Sequence, residues 1–180
     1  MVGKGGGQRF GIKRIQPRQA AQMAALTTAQ VSQGLSTAQI RSLVTDDVAA
    51  LSVDQVAALT TAQVAQGLST GQTAALKVAQ VAALSTAQVS LGLTTAQIAT
   101  LSTTQVAAIE VADVAVLTTA QISLGLTTGQ WIAMSANQVK ALTTVQVAQG
   151  LTTAQIAALT TAQTAALTAA QVGQGMTTAQ

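Results

Sequence analysis

The stretch Leu151-Thr152-Thr153-Ala154-Gln155-Ile156-Ala157-Ala158-Leu159 decides the fold. Each position has a role at the start of a helix. Thr152 is an N-cap type, and Gln155 three residues on can reach back to the cap's own N–H, making a capping box. Leu151 before the cap and Ile156 at the fourth helical position can close as a hydrophobic staple. Two alanines, both strong helix formers, carry the chain to Leu159, where the phrase begins again.

The phrase recurs from Leu26 onward. Nineteen anchors, from Leu26 to Met176, leave eighteen intervals, twelve of eight residues and six of nine. Each nine-residue block ends in glycine: Gly34, Gly67, Gly92, Gly125, Gly150 and Gly175. The cap position is Ser or Thr in 16 of 19 blocks, Val44, Lys77 and Glu110 being the exceptions. The next box position is Gln in 17 of 19, with Asp47 and Asp113 in the other two. The staple position is Val, Ile or Trp in 16 of 18, with Thr73 and Thr164 departing. Residues 26–83 also realign with 84–141 at an offset of 58, and duplication of a multi-block unit explains this.

One long helix cannot carry this pattern. At about 100° per residue the leucines would spiral around its axis. Strands fail as well, because a nine-residue step reverses the side-chain phase, and Ala and Gln are poor strand residues. What remains is an all-α solenoid of very short capped helices in 8/9-residue blocks, three or four blocks per superhelical turn. Helices this short do not survive alone, so stacking must hold them. The glycines are expected at recurring corners, where a left-handed C-cap is useful.

Composition narrows the function. Of 180 residues, 7% are charged and 49% hydrophobic, with no cysteine and no histidine. Disulfides and thiolate metal sites are therefore excluded, and the commonest general base is missing. No enzyme and no cofactor is expected. The net charge of +3 is uneven: residues 1–18 carry +5 and residues 19–180 carry −2. Residues 1–18, with five glycines and the single proline, read as a flexible basic arm; residues 19–180 read as the solenoid, opened by a degenerate block with Gln22 and Met23 in the repeat positions. The N-terminus lacks the apolar run of a signal peptide, and no stretch is apolar for the ~20 residues of a membrane span.

The phrase, as in Leu59-Thr60-Thr61-Ala62-Gln63-Val64, resembles the Leu-Thr-Thr-Ala-Gln-rich tandem repeats of large bacterial surface, adhesin-like or hypothetical proteins. That resemblance implies a non-catalytic structural role, extracellular or at the cell surface, with the cytoplasm as the alternative. The opening Leu-Thr-x-x-Gln-Val is also similar to the first helix of TAL-effector DNA-binding repeats. Here a further copy of the same block replaces their second helix and base-reading loop, so nucleic acid is not expected as a partner.

Candidate sites are few. Asp46, Asp47 and Asp54 form the one acidic cluster, and its placement near helix starts favours a dipole role over a metal. Lys77 and Glu110 replace caps on what reads as one edge. Trp131 occupies a staple position; core packing is its default, and its bulk makes it a candidate interface residue. The second threonine of the phrase (14 of 19 blocks) offers a ladder for ice or another lattice. The leading expectation is self-assembly head to tail into a filament or surface fibre. Its candidate residues are Phe10, Ile12, Arg14 and Ile15 of the arm, together with Met176 and Gln180. A monomeric binding or adhesion scaffold, or a lattice-binding solenoid, is the alternative.

Overall fold

The computed structural model describes residues 16–176. Nineteen helices succeed one another, from Gln16–Ala24, the longest, through the four-residue Val111–Val114, to Gln171–Gly175. No strand interrupts them among the described residues. The first helix takes in Gln16, Pro17 and Arg18, so it opens three residues ahead of the expected start of the solenoid.

The two block lengths correspond to two ways of reaching the next anchor. In an eight-residue block the anchor N–H donates three residues back, as Leu59 N–H does to Val56 O at 3.1 Å. In a nine-residue block the helix widens into π geometry, and the anchor donates five residues back. Leu93 N–H to Gln88 O at 2.8 Å is such a bond. All six nine-residue blocks end in such a π segment, from Gln30–Gly34 to Gln171–Gly175, and the five-back bond recurs at Leu68 and Leu126. The ninth residue is absorbed as an insertion, and the next helix starts in the same pose.

Successive helices pack in a fixed pattern. Gln16–Ala24 lies on Thr45–Ala50, Thr37–Ser42 on Gln63–Gly67, Thr95–Thr100 on Gln121–Gly125, and Ala136–Lys140 on Thr161–Ala166. Each partner is three blocks away. The expectation of three or four blocks per turn therefore resolves to three, or 24 to 25 residues. Cap exceptions spaced by four blocks then fall on successive corners. Lys77 and Glu110 do not share an edge.

Anchor leucines and staple residues fill the interior. Val56, Leu59, Val64, Leu68, Val89 and Ile122 are among those fully or almost fully buried. Each such side chain contributes on the order of 1.5–3 kcal/mol relative to exposure, and that burial stabilises helices too short to stand alone. Thr73 takes a staple position because its hydroxyl donates to Ser69 O at 3.0 Å, which removes its need for another partner.

Two expectations are corrected here. The glycines are not left-handed caps, since no described residue has positive φ. They permit close approach instead. A Cβ on Gly67, Gly92, Gly125, Gly150 or Gly175 would lie 3.0–3.4 Å from the staple side chain of the turn below. The second correction concerns Trp131, which is 0% exposed and so is a core residue, not an interface residue. Its indole Nε1 has no hydrogen-bond partner in that core.

Candidate functional site: the glutamine ladder and its two ends

The repeated glutamine joins one turn to the next. Its local duty is the one read from sequence: Thr152 N–H donates to Gln155 Oε1 at 2.9 Å, and Gln155 N–H donates to Thr152 Oγ1 at 3.2 Å. The amide nitrogen has a second duty. Gln88 Nε2 donates to Val56 O at 2.9 Å and to Leu59 O at 2.7 Å, 32 and 29 residues earlier. Gln63, Gln72, Gln97, Gln121, Gln130, Gln155 and Gln163 repeat this bridge. One buried side chain therefore satisfies a helix start above it and a helix end with its following anchor below. Both ends would otherwise leave orphaned backbone groups.

A signal for this bridge stands in the sequence. A capping box accepts Glu as readily as Gln at its third position. Glutamate never appears there in this chain. A carboxylate would serve the cap but would turn an acceptor toward two carbonyls, so only the amide does both jobs.

The two aspartates are gaps in the ladder. Asp113 is buried, and in the repeat register it stands over the carbonyls of Val81 and Leu84, which receive no glutamine side chain. Its helix start is capped by Glu110, which makes no side-chain cap bond. Burial, then the Glu110 carboxylate, pushes the Asp113 carboxyl above its ordinary value. Asp47 is likewise buried, with Oδ1 lacking a partner. Lys77 keeps half a box: its N–H donates to Gln80 Oε1 at 2.6 Å, while its ammonium has no lone pair to return.

The remaining candidates do not converge. Asp46 and Asp54 are exposed in the first turns of different helices, and among the described residues no three metal-ligating side chains come together. Stacking by threes divides the second threonines over three columns. The longest unbroken column is Thr45, Thr70, Thr95, Thr119 and Thr144, partly exposed to exposed. Phe10, Ile12, Arg14, Ile15 and Gln180 lie outside the described residues. Met176 is half-buried against the last turn of the core. No described helix is long and apolar enough to cross a membrane.

At both ends of the described residues the turns are less sealed. Gln30 and Gln39 use their Oε1 atoms on Thr27 N–H and Ser36 N–H, each at 2.8 Å, but their Nε2 atoms have no hydrogen-bond partner and both side chains are exposed. At the opposite end Ile156, Leu159, Leu167 and Met176 are only partly buried, whereas their counterparts in inner turns are sealed. A family model described as the ALTTAQ repeat matches residues 33–61 and 45–78. This is a tandem-repeat protein. No curated protein and no solved structure matches the chain. The matched segments of the repeat protein include Gln55, Gln63 and Gln72, the first described glutamines that bridge to an earlier turn.

Proposed function

We propose that this chain is a non-enzymatic structural repeat protein whose solenoid assembles head to tail into a filament or surface fibre. The observation that carries the reading is the way turns join: one buried glutamine amide after another donates to backbone carbonyls of an earlier turn, so the repeat stacks on itself through a single contact used throughout. A contact of that kind between copies joins unlike surfaces, and it propagates unless its rotation closes into a ring. The body carries few charges to oppose association. The resemblance of the phrase to bacterial surface repeats supports an extracellular setting.

Light scattering across a concentration series, followed by negative-stain imaging, tests the proposal. Particles whose mass grows with concentration, and whose images are rods or rings one solenoid wide, are the expected result. A chain that stays at the mass of one copy at high concentration overturns it.

A further inference from the structure

We propose that the basic segment of residues 9–15 docks on the flank of its own solenoid, across the starts of the helices Thr45–Ala50 and Val53–Ala57. Phe10 and Ile12 cover Val44 and Val53, and the cations pair with Asp46, Asp47 and Asp54. The contact is made within one chain and holds whether or not copies assemble.

This flank departs from the repeat in sequence. Where the phrase calls for Thr, Ala and Gln, residues 43–54 carry Val44, Asp46, Asp47, Val53 and Asp54. Three of the five acidic residues of the whole chain fall in these two blocks. Val44 and Val53 are 38% and 41% exposed at positions where most blocks carry a hydroxyl, and Asp46 and Asp54 are exposed on the same two helices. The matching positions are exposed in interior blocks as well, as at Ser69, Thr70, Ser102 and Thr103, so this surface belongs to the side of the solenoid and not to an end.

Asp47 supplies a second indication. It is 1% exposed, and its Oδ1 has no hydrogen-bond partner. A buried carboxylate without a partner is costly, and a cation relieves that cost. The helix packed on Thr45–Ala50 is Gln16–Ala24, so the residues just ahead of Gln16 enter beside the element that holds Asp47. Arg41, on the preceding helix, already donates its guanidinium to Gln66 O.

The occupant has the matching chemistry. Residues 1–15 lie outside the described residues and hold four cations and no acid. Arg9-Phe10-Gly11-Ile12-Lys13-Arg14-Ile15 interleaves cations with apolar side chains, as the flank interleaves acids with valines. In an extended segment alternate side chains share a face, which sets Phe10, Ile12 and Arg14 together. Seven extended residues span about 23 Å, against about 9 Å for a helix as short as Thr45–Ala50, so the segment can leave Gln16 and pass both helix starts. Ion pairs on a surface contribute little alone, and the burial of Phe10 and Ile12 supplies the rest.

Disulfide trapping in the full chain tests the docking, because the chain has no cysteine of its own. Ile12→Cys with Val53→Cys is compared with Ile12→Cys and Val145→Cys, where Val145 is 54% exposed several turns away. In dilute protein under mild oxidant the first pair should close within one chain about tenfold faster or more than the second. Salt at about 1 M should bring the first rate down toward the second. Asp46→Lys with Asp54→Lys should slow the first pair, and adding Arg9→Glu, Lys13→Glu and Arg14→Glu to that chain should restore it. If the lysine variant loses its helical circular dichroism, the two cysteine pairs decide alone. Equal rates for the two pairs overturn the docking. Linkage found only between chains, and rising with concentration, overturns it too and makes a second copy the occupant.

Discussion

Gln88 Nε2 lies 2.7 Å from the carbonyl oxygen of Leu59, 29 residues earlier in the chain. The same side chain accepts from Ser85 N–H at 2.8 Å, so a local cap and a contact between turns depend on one amide. Gln88→Glu keeps the cap acceptor and places a charge against two carbonyls. It should cost about 3 kcal/mol or more, the usual penalty of an uncompensated buried charge. Gln88→Ala should cost less, because it removes the donor without adding charge. Urea unfolding of the two variants checks the order, and equal costs would mean that the bridge to the turn below is unimportant.

The glycines separate by position. Gly92→Ala would set a Cβ 3.1 Å from Val64 Cβ and should destabilise. Gly71→Ala meets nothing within 4 Å at the second position of the helix Thr70–Ala74, and should stabilise by about 0.5–1 kcal/mol through lower unfolded-chain entropy. Opposite shifts in melting temperature are expected. Adding Val64→Ala should recover part of the Gly92→Ala loss, since the two changes share one contact.

Asp113 makes stability depend on pH. Its folded carboxyl titrates above the ordinary value because burial, then Glu110, disfavours the charge. A folded value raised above the unfolded one means that the relative stability is fully present below the unfolded value. It is lost as pH rises through the folded value. Lys140, at the end of the helix packed on Val111–Val114, is the cation on that neighbouring element. Asp113→Gln restores the rung and removes the titration. The variant should therefore melt above the parent at neutral pH, with the gap narrowing as the solution is acidified below the carboxylate range. A gap that does not change with pH would contradict this assignment.

The two threonines of the phrase should differ. Thr152 Oγ1 accepts from Gln155 N–H at 3.2 Å, and Thr152→Ala should cost about 1 kcal/mol, the usual value of a lost N-cap. Thr153 is exposed with no side-chain bond, and Thr153→Ala should be close to neutral. Thermal melts of the pair distinguish a correct helix start from one misplaced by a residue.

Where each helix begins, and which side chains turn inward, follows from local patterns of a few residues. A capping box joins residues three apart and a staple residues five apart, so Thr152, Gln155, Leu151 and Ile156 declare themselves without reference to any other part of the chain. What the turns do to one another depends instead on contacts between residues far apart in the chain. Three blocks per turn, rather than four, follow from how Thr37–Ser42 meets Gln63–Gly67, and no local rule states that distance. The glycines suggested left-handed corners because that is the local use of glycine; Gly92 is there for Val64, 28 residues away. Trp131 looked too large for its slot, yet the turns close over it completely. The glutamine is the intermediate case. Its oxygen serves the next residues and was readable as a cap, whereas its nitrogen serves the turn below and became visible only when the chain was stacked. Local hydrogen bonds set the helices, and packing across 24 to 33 residues set the solenoid.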